Sequence, residues 1–334
     1  MSSAPLAAPL LEVQSLVKHF PLPRGARLWA AERAVHAVDG VDLVVNRGEF
    51  VAVVGESGSG NTTLANCIAG FLDPSSGRIC LDGAPLVEAS RNGHVRVRRH
   101  VSRFDLATRI QMVFQDPSSA LNPRQTIGSA LLEPLLVHKL MPKQAARRRV
   151  DELLELTGIS PQMRRRYAHE LNSGQRQRVV IARSLALEPT LLVADEPVSR
   201  LDVSMQSQIL NLLLDLHREF GLTIVFITHD LSVVRQVAER VVVMYLGRVM
   251  ESCSADAFFS DPRHPYSEAL LSSTPRFHMD EEPFTLEGEI PSPISPPPGC
   301  PFSTRCPLAS PECEAAVPPL HAVAPGHDVA CIKR

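Results

Sequence analysis

The spacing of apolar residues along the chain changes period several times. Residues 10–20, LLEVQSLVKHF, and the stretch from Val35 through VDGVDLVV alternate apolar and polar positions with Gly and Asp punctuation, which predicts antiparallel ribbons. The basic segment PLPRGARLWAAERA lies between them as a loop. Phe50–Val54 is a continuous apolar run that reads as a buried strand, and it leads straight into GESGSGNTT. Asn61–Ala69 has helical spacing, with Gly70 as its stop. The Arg-rich stretch 91–110 reads as a solvated loop or helix face. From about Gln125 to Gly158 the pattern is helical. LLVADEP at 191–197 and TIVFITHD at 223–230 are short apolar runs of the kind found in central strands buried on both faces, and Val203–Phe220 between them reads as a helix. A strand–helix–strand crossover of this type implies a parallel α/β sheet.

Composition narrows the picture. With 334 residues, 44% of them hydrophobic, the chain can bury one large domain and something smaller. A net charge of −2, three Tyr and one Trp argue against a nucleic-acid partner. Neither a membrane-spanning helix nor a signal peptide is expected, since no run of about 18 apolar residues occurs and the first residues lack a charged segment before an apolar core. After about Pro262 the composition shifts: ten Pro fall between Pro262 and Pro301, which reads as a linker into a small Cys-bearing tail. Four of the seven Cys lie in that tail: Cys300, Cys306, Cys313 and Cys331. In a reducing compartment such a cluster favours metal over disulfide.

The glycine segment comes within one residue of a phosphate-binding loop. Gly55, Gly58 and Gly60 allow a sharp turn in which backbone N–H groups converge on phosphate oxygens at a helix start. Thr62 stands where a hydroxyl would hold Mg²⁺. The position that normally carries Lys is Asn61. Downstream, four apolar residues run into Asp195 and Glu196: the first is placed to hold Mg²⁺ through water, the second to polarise an attacking water.

Taken together these segments resemble the nucleotide-binding subunits of ABC transporters, from about Leu11 to the C-terminus. The resemblance implies a P-loop NTPase α/β fold: a parallel sheet core, an antiparallel β subdomain and a helical subdomain around residues 116–185. An ATP-binding domain over 1–261 would be followed by an extension over 262–334. Gln115 in QMVFQDP matches the Q-loop, which in the family touches Mg²⁺ and the transmembrane partner. His229 in ITHD matches the switch histidine at the γ-phosphate, and Phe20 is the candidate aromatic for adenine. The implied ATP contacts also take in Glu56, Ser57, Ser59 and Thr63 in the loop, and Asp202 in the D-loop SRLD. A coupling helix of a membrane subunit would dock at DPSSALNP. The phrases PRHPYSEALLSSTP, EGEIPSP and PPPGCPFSTRCP are similar to the C-terminal extension of oligopeptide and dipeptide importer ATPases, a group that includes nickel and glutathione systems. That resemblance implies a [4Fe-4S] cluster on the four tail cysteines; a zinc ion and an unmetallated tail rank after it. His321 and His327 are read as surface residues.

The chain departs from the family at several points. The signature Leu-Ser-Gly-Gly-Gln appears as LNSGQ, so Asn172 and Ser173 replace Ser and Gly while Gly174 and Gln175 remain. Arg200 and Val198 replace the usual Ala and Thr, and Arg200 could return positive charge to a dimer interface. Two such domains pair head to tail. Asn61 therefore weakens the site on this chain's own loop, and Asn172 and Ser173 the opposite site. The reading is an energy-coupling ATPase of a peptide importer, at the cytoplasmic face of the inner membrane. Its partners would be a second, different ATPase, two permease subunits and, indirectly, a substrate-binding protein. The alternatives are a regulatory subunit that binds ATP without hydrolysing it, and a soluble ABC ATPase.

Overall fold

A computed structural model describes residues 9–22, 33–92, 94–273 and 288–334. Most of the basic segment after Phe20 and the middle of the Pro-rich stretch lie outside the described residues. The chain divides into two compact units, one formed by Met1–His100 with Ile227–Arg334, the other by Val101–Phe226.

In the first unit the alternating segments pair as expected. Ala34–Asn46, Pro9–Pro21, Ser76–Leu81, Ala84–Asn92 and His94–Arg99 form an antiparallel sheet in that order. The last strand corrects the reading of the Arg-rich segment as loop or helix face. VRVR is exposed along a sheet edge, where charged side chains also deter pairing with another chain. A second run of neighbouring strands is His321–Ala324, His327–Val329, Arg248–Ser254, Arg240–Tyr245 and Phe50–Val54. Its last two are parallel, with Val241 opposite Ala52, and the others antiparallel. All five residues of Phe50–Val54 are buried, which is why that strand reads as a continuous apolar run rather than an alternation. Tyr245, Phe258, Tyr266 and Phe302 pack into one core cluster with Ala52 and Val54, so residues of the tail share a core with the strand that feeds the glycine loop.

In the second unit Ile110–Val113 and Leu191–Asp195 pair in parallel, Ile110 opposite Leu191. Around them are the helices Ile127–Val137, Lys143–Leu156, Ser173–Leu185 and Val203–Phe220. Lys143–Leu156 buries Ala146, Val150, Leu153 and Leu154, an i, i+4, i+7, i+8 stripe. Val203–Phe220 begins on the side chain of Asp202 and ends at Gly221, whose φ of 61° is the left-handed stop a helix needs. Thr223–Thr228, buried throughout, carries the chain out of this unit. Among the described residues no helix is long and apolar enough to cross a membrane.

Candidate functional site

Phe50–Val54 delivers the chain into the glycine loop, and the helix Asn61–Ile68 leaves it. A Cβ on Gly55 would lie 2.2 Å from the carbonyl oxygen of Met244, and one on Gly60 2.1 Å from that of Ala37. Both positions therefore exclude side chains. Gly60 is also the N-cap of the helix, at φ 100°, and supplies no side-chain cap; the first turn carries no acidic residue. With no side-chain cap over it, the helix start and the positive end of its dipole suit a phosphate. Ser57, Gly58 and Thr62 are exposed at this opening, Thr63 is half-buried, and Ser59 and Asn61 are buried. The side-chain oxygen of Asn61 has no hydrogen-bond partner in its buried setting. Among the described residues nothing donates to that oxygen, whereas the ammonium expected at this position would carry its own charge toward a phosphate.

Glu56 is held on two sides. Its N–H donates to the Tyr266 hydroxyl at 2.9 Å, and its carboxylate accepts from Arg305 at 2.7 Å and 3.3 Å. The same unit places Phe20 at the end of its strand, 36% exposed with the Lys18 ammonium 5.0 Å from the ring centre. His229 follows directly on Thr223–Thr228 and is exposed.

In the second unit Asp195 closes its strand, 5% exposed, and Glu196 follows with φ 46°. Gln115 Nε2 donates to Glu196 Oε2 at 2.5 Å, so the amide and the carboxylate that were read from separate motifs meet. Arg200 lies 3.3 Å from the Asp116 carboxylate, which already partly compensates the charge it was expected to offer at a dimer interface. The altered signature has a local explanation. Asn172 Oδ1 accepts from Gln175 N at 2.8 Å and Asn172 N donates to Gln175 Oε1 at 3.2 Å, a capping box that starts Ser173–Leu185. Asn caps as well as the Ser it replaces. Gly174 packs against the Met205 side chain, and a Cβ there would stand 2.7 Å from its sulfur, so that side chain would have to move.

Cys300, Cys306, Cys313 and Cys331 line one small cavity with His264 and Phe302. Burial pushes the Cys300 thiol up to about 11, with the three neighbouring sulfurs adding to the effect. Four thiol sulfurs around one cavity are the donor set that a thiolate-bound metal uses, so the residues fit one. Among the described residues, the three-residue groups with ligand atoms within 4.8 Å of one another are His19–His36–Asp39 and Glu251–Cys253–His327. The second group is closed by hydrogen bonds: Glu251 accepts from Arg263 N, His264 N and His327 Nε2, the last at 2.6 Å. His327 is therefore buried and corrects the surface reading, while His321 is exposed as expected. A buried carboxylate needed a partner, and the terminal hairpin supplies one. Tyr266, Arg305 and His264 did not stand out from the sequence beyond their place in tail phrases.

Residues 38–199 match the family model described as "ABC transporter", and residues 250–313 the model described as "Oligopeptide/dipeptide transporter, C-terminal region". The chain is 46% identical over 329 residues to a probable peptide ABC transporter ATP-binding protein, y4tS, of Sinorhizobium fredii, covering 96% of this chain and 89% of that protein. It is 43% identical to the oligopeptide transport ATP-binding protein AppF of Bacillus subtilis, covering 96% of each. Among solved structures it is similar to cbiO1 of Clostridium perfringens, part of the ABC transporter complex cbiONQ, with TM-score 0.62 and 32% identity over 76% of this chain and 91% of that one. It is also similar to a dimeric post-hydrolysis state of the ATP-binding cassette MJ0796 bound to ADP and Pi, with TM-score 0.61 and 27% identity over 74% and 99%. The chain belongs to the ABC transporter family and is an ABC-type ATPase carrying the oligopeptide/dipeptide type of C-terminal region.

Proposed function

We propose that this chain is the energy-coupling subunit of an importer for peptides, binding Mg-ATP on its glycine loop and working at the cytoplasmic face of the membrane against two permease subunits. The observation that carries the reading is the helix start at Gly60 with no side-chain cap, on a chain 96% of which aligns with peptide-transport ATP-binding proteins. Backbone amides of the loop hold the phosphates; Thr62, Gln115 and Asp195 manage Mg²⁺; Glu196 orients and activates water; His229 contacts the γ-phosphate; Phe20 stacks on adenine. The segments around Asn172–Gln175 and Asp202 face the nucleotide of a partner ATPase, which we take to be a different chain, since a homodimer would carry the Asn61 defect twice. The helical residues 116–185 form the face toward the permeases. Calorimetry with Mg-ATP tests the reading: the chain with its partner binds nucleotide, and failure to bind refutes it.

One observation favours a second reading, a site that binds ATP without splitting it. The orphaned Asn61 amide offers no cation to the transferring phosphoryl. Hydrolysis assays on Glu196 variants in the assembled pair separate the two.

For the tail we propose a [4Fe-4S] cluster over zinc. The reading rests on the likeness of the tail to the oligopeptide/dipeptide transporter C-terminal region and on four thiols lining one cavity. When bound, such a cluster cross-links the extension through its thiolates. Iron, sulfide and zinc assays on anaerobically purified protein decide between them.

A further inference from the structure

Among the described residues, the extension hydrogen-bonds to the glycine loop at Glu56. Its carboxylate is bidentate with Arg305, 249 residues away in sequence, and its N–H is taken by Tyr266, 210 residues away. The Arg305 side chain is 5% exposed and that of Glu56 25%, so solvent screens this ion pair little. Arg305 is itself seated. It donates to the Tyr245 hydroxyl at 3.3 Å and lies 5.9 Å from the centre of that ring. Tyr245, Tyr266 and Phe302 pack ring against ring at 4.7–5.4 Å, and Phe302 lines the cysteine cavity. Arg305 ends a short turn, Ser303–Arg305, flanked by Phe302 and Cys306.

An anchor that merely fastened the tail could grip any surface residue. This one grips the loop, and Tyr266 removes one backbone N–H from the set that could turn to a phosphate. With Glu56 fixed from both sides, the orientation of the amides after it is no longer set by the loop alone. We infer that Arg305 and Tyr266 are positioning residues for the phosphate-binding loop, so that the tail acts on triphosphate affinity through Glu56. The inference rests on the nucleotide-binding reading above.

The test uses the full chain and compares affinities for Mg-ATP and AMP by calorimetry. Loss of a charge-assisted contact of this kind corresponds to about a tenfold effect. Arg305→Met is expected to weaken Mg-ATP by that factor and leave AMP unchanged, with Arg305→Lys recovering part of the loss. Glu56→Gln should weaken Mg-ATP similarly, and the double variant should be no weaker than Glu56→Gln alone, because both act through one contact. Should Arg305→Met fail to fold, Tyr266→Phe removes only a hydroxyl and is expected to weaken Mg-ATP about threefold. Unchanged Mg-ATP affinity in these variants, equal losses for AMP, or additive losses in the double variant would overturn the inference while the nucleotide reading stands. Failure of the unaltered chain to bind Mg-ATP instead removes the nucleotide reading itself.

Discussion

Gln115 and Glu196 are joined by a 2.5 Å hydrogen bond, and Glu196 holds it from a left-handed backbone conformation at φ 46°. A non-glycine residue in that region costs on the order of 1–3 kcal/mol and persists only where its surroundings enforce it, as at functional sites. Glu196→Gln is expected to lower single-turnover ATP hydrolysis at this chain's own site by at least about 10²-fold while Mg-ATP affinity is retained. The measurement is made on the assembled ATPase pair; an unchanged rate would identify this chain's own site as regulatory.

Asn61 is buried with its side-chain oxygen unpartnered. Asn61→Lys removes that orphaned oxygen and restores a cation to the loop. Hydrolysis by this chain's site is expected to rise about 10²- to 10³-fold, read by single-turnover kinetics. No gain would mean that the rate is limited elsewhere than at this position.

Asn172 serves the helix it starts. Asn172→Ala should cost about 1 kcal/mol of stability, whereas Asn172→Ser, which keeps a capping oxygen, should be close to neutral. Urea unfolding of the two variants checks the difference. Equal losses would show that the bonds between Asn172 and Gln175 are not what the position contributes.

His264 is 1% exposed, and burial holds its imidazole down at about 4, below the ordinary 6.5. Its stabilising contribution is therefore complete above pH 6.5 and is lost as the pH falls from there toward 4, because the unfolded chain takes up a proton that the folded chain refuses. The loss is on the order of 3 kcal/mol across that window. Unfolding midpoints measured from pH 7.5 to 4.5 should fall accordingly, and His264→Gln should flatten the profile.

Much of the architecture is determined by local sequence. Phe50–Val54, the helix from Asn61, and Val203–Phe220 were legible because period, caps and glycine stops act within a few residues. The glycine loop was legible for the same reason. The edge strand His94–Arg99 was not, because a run of Arg and Val has no fixed state until a sheet edge offers it partners.

The contacts of Glu56 with Tyr266 and Arg305 and the burial of His327 against Glu251 were decided by tertiary structure alone. Each joins groups separated by many residues, and each follows from the need of a buried charge or polar group for a partner. The sequence determines which residues can meet that need. Only the folded chain determines which of them is near enough to do so.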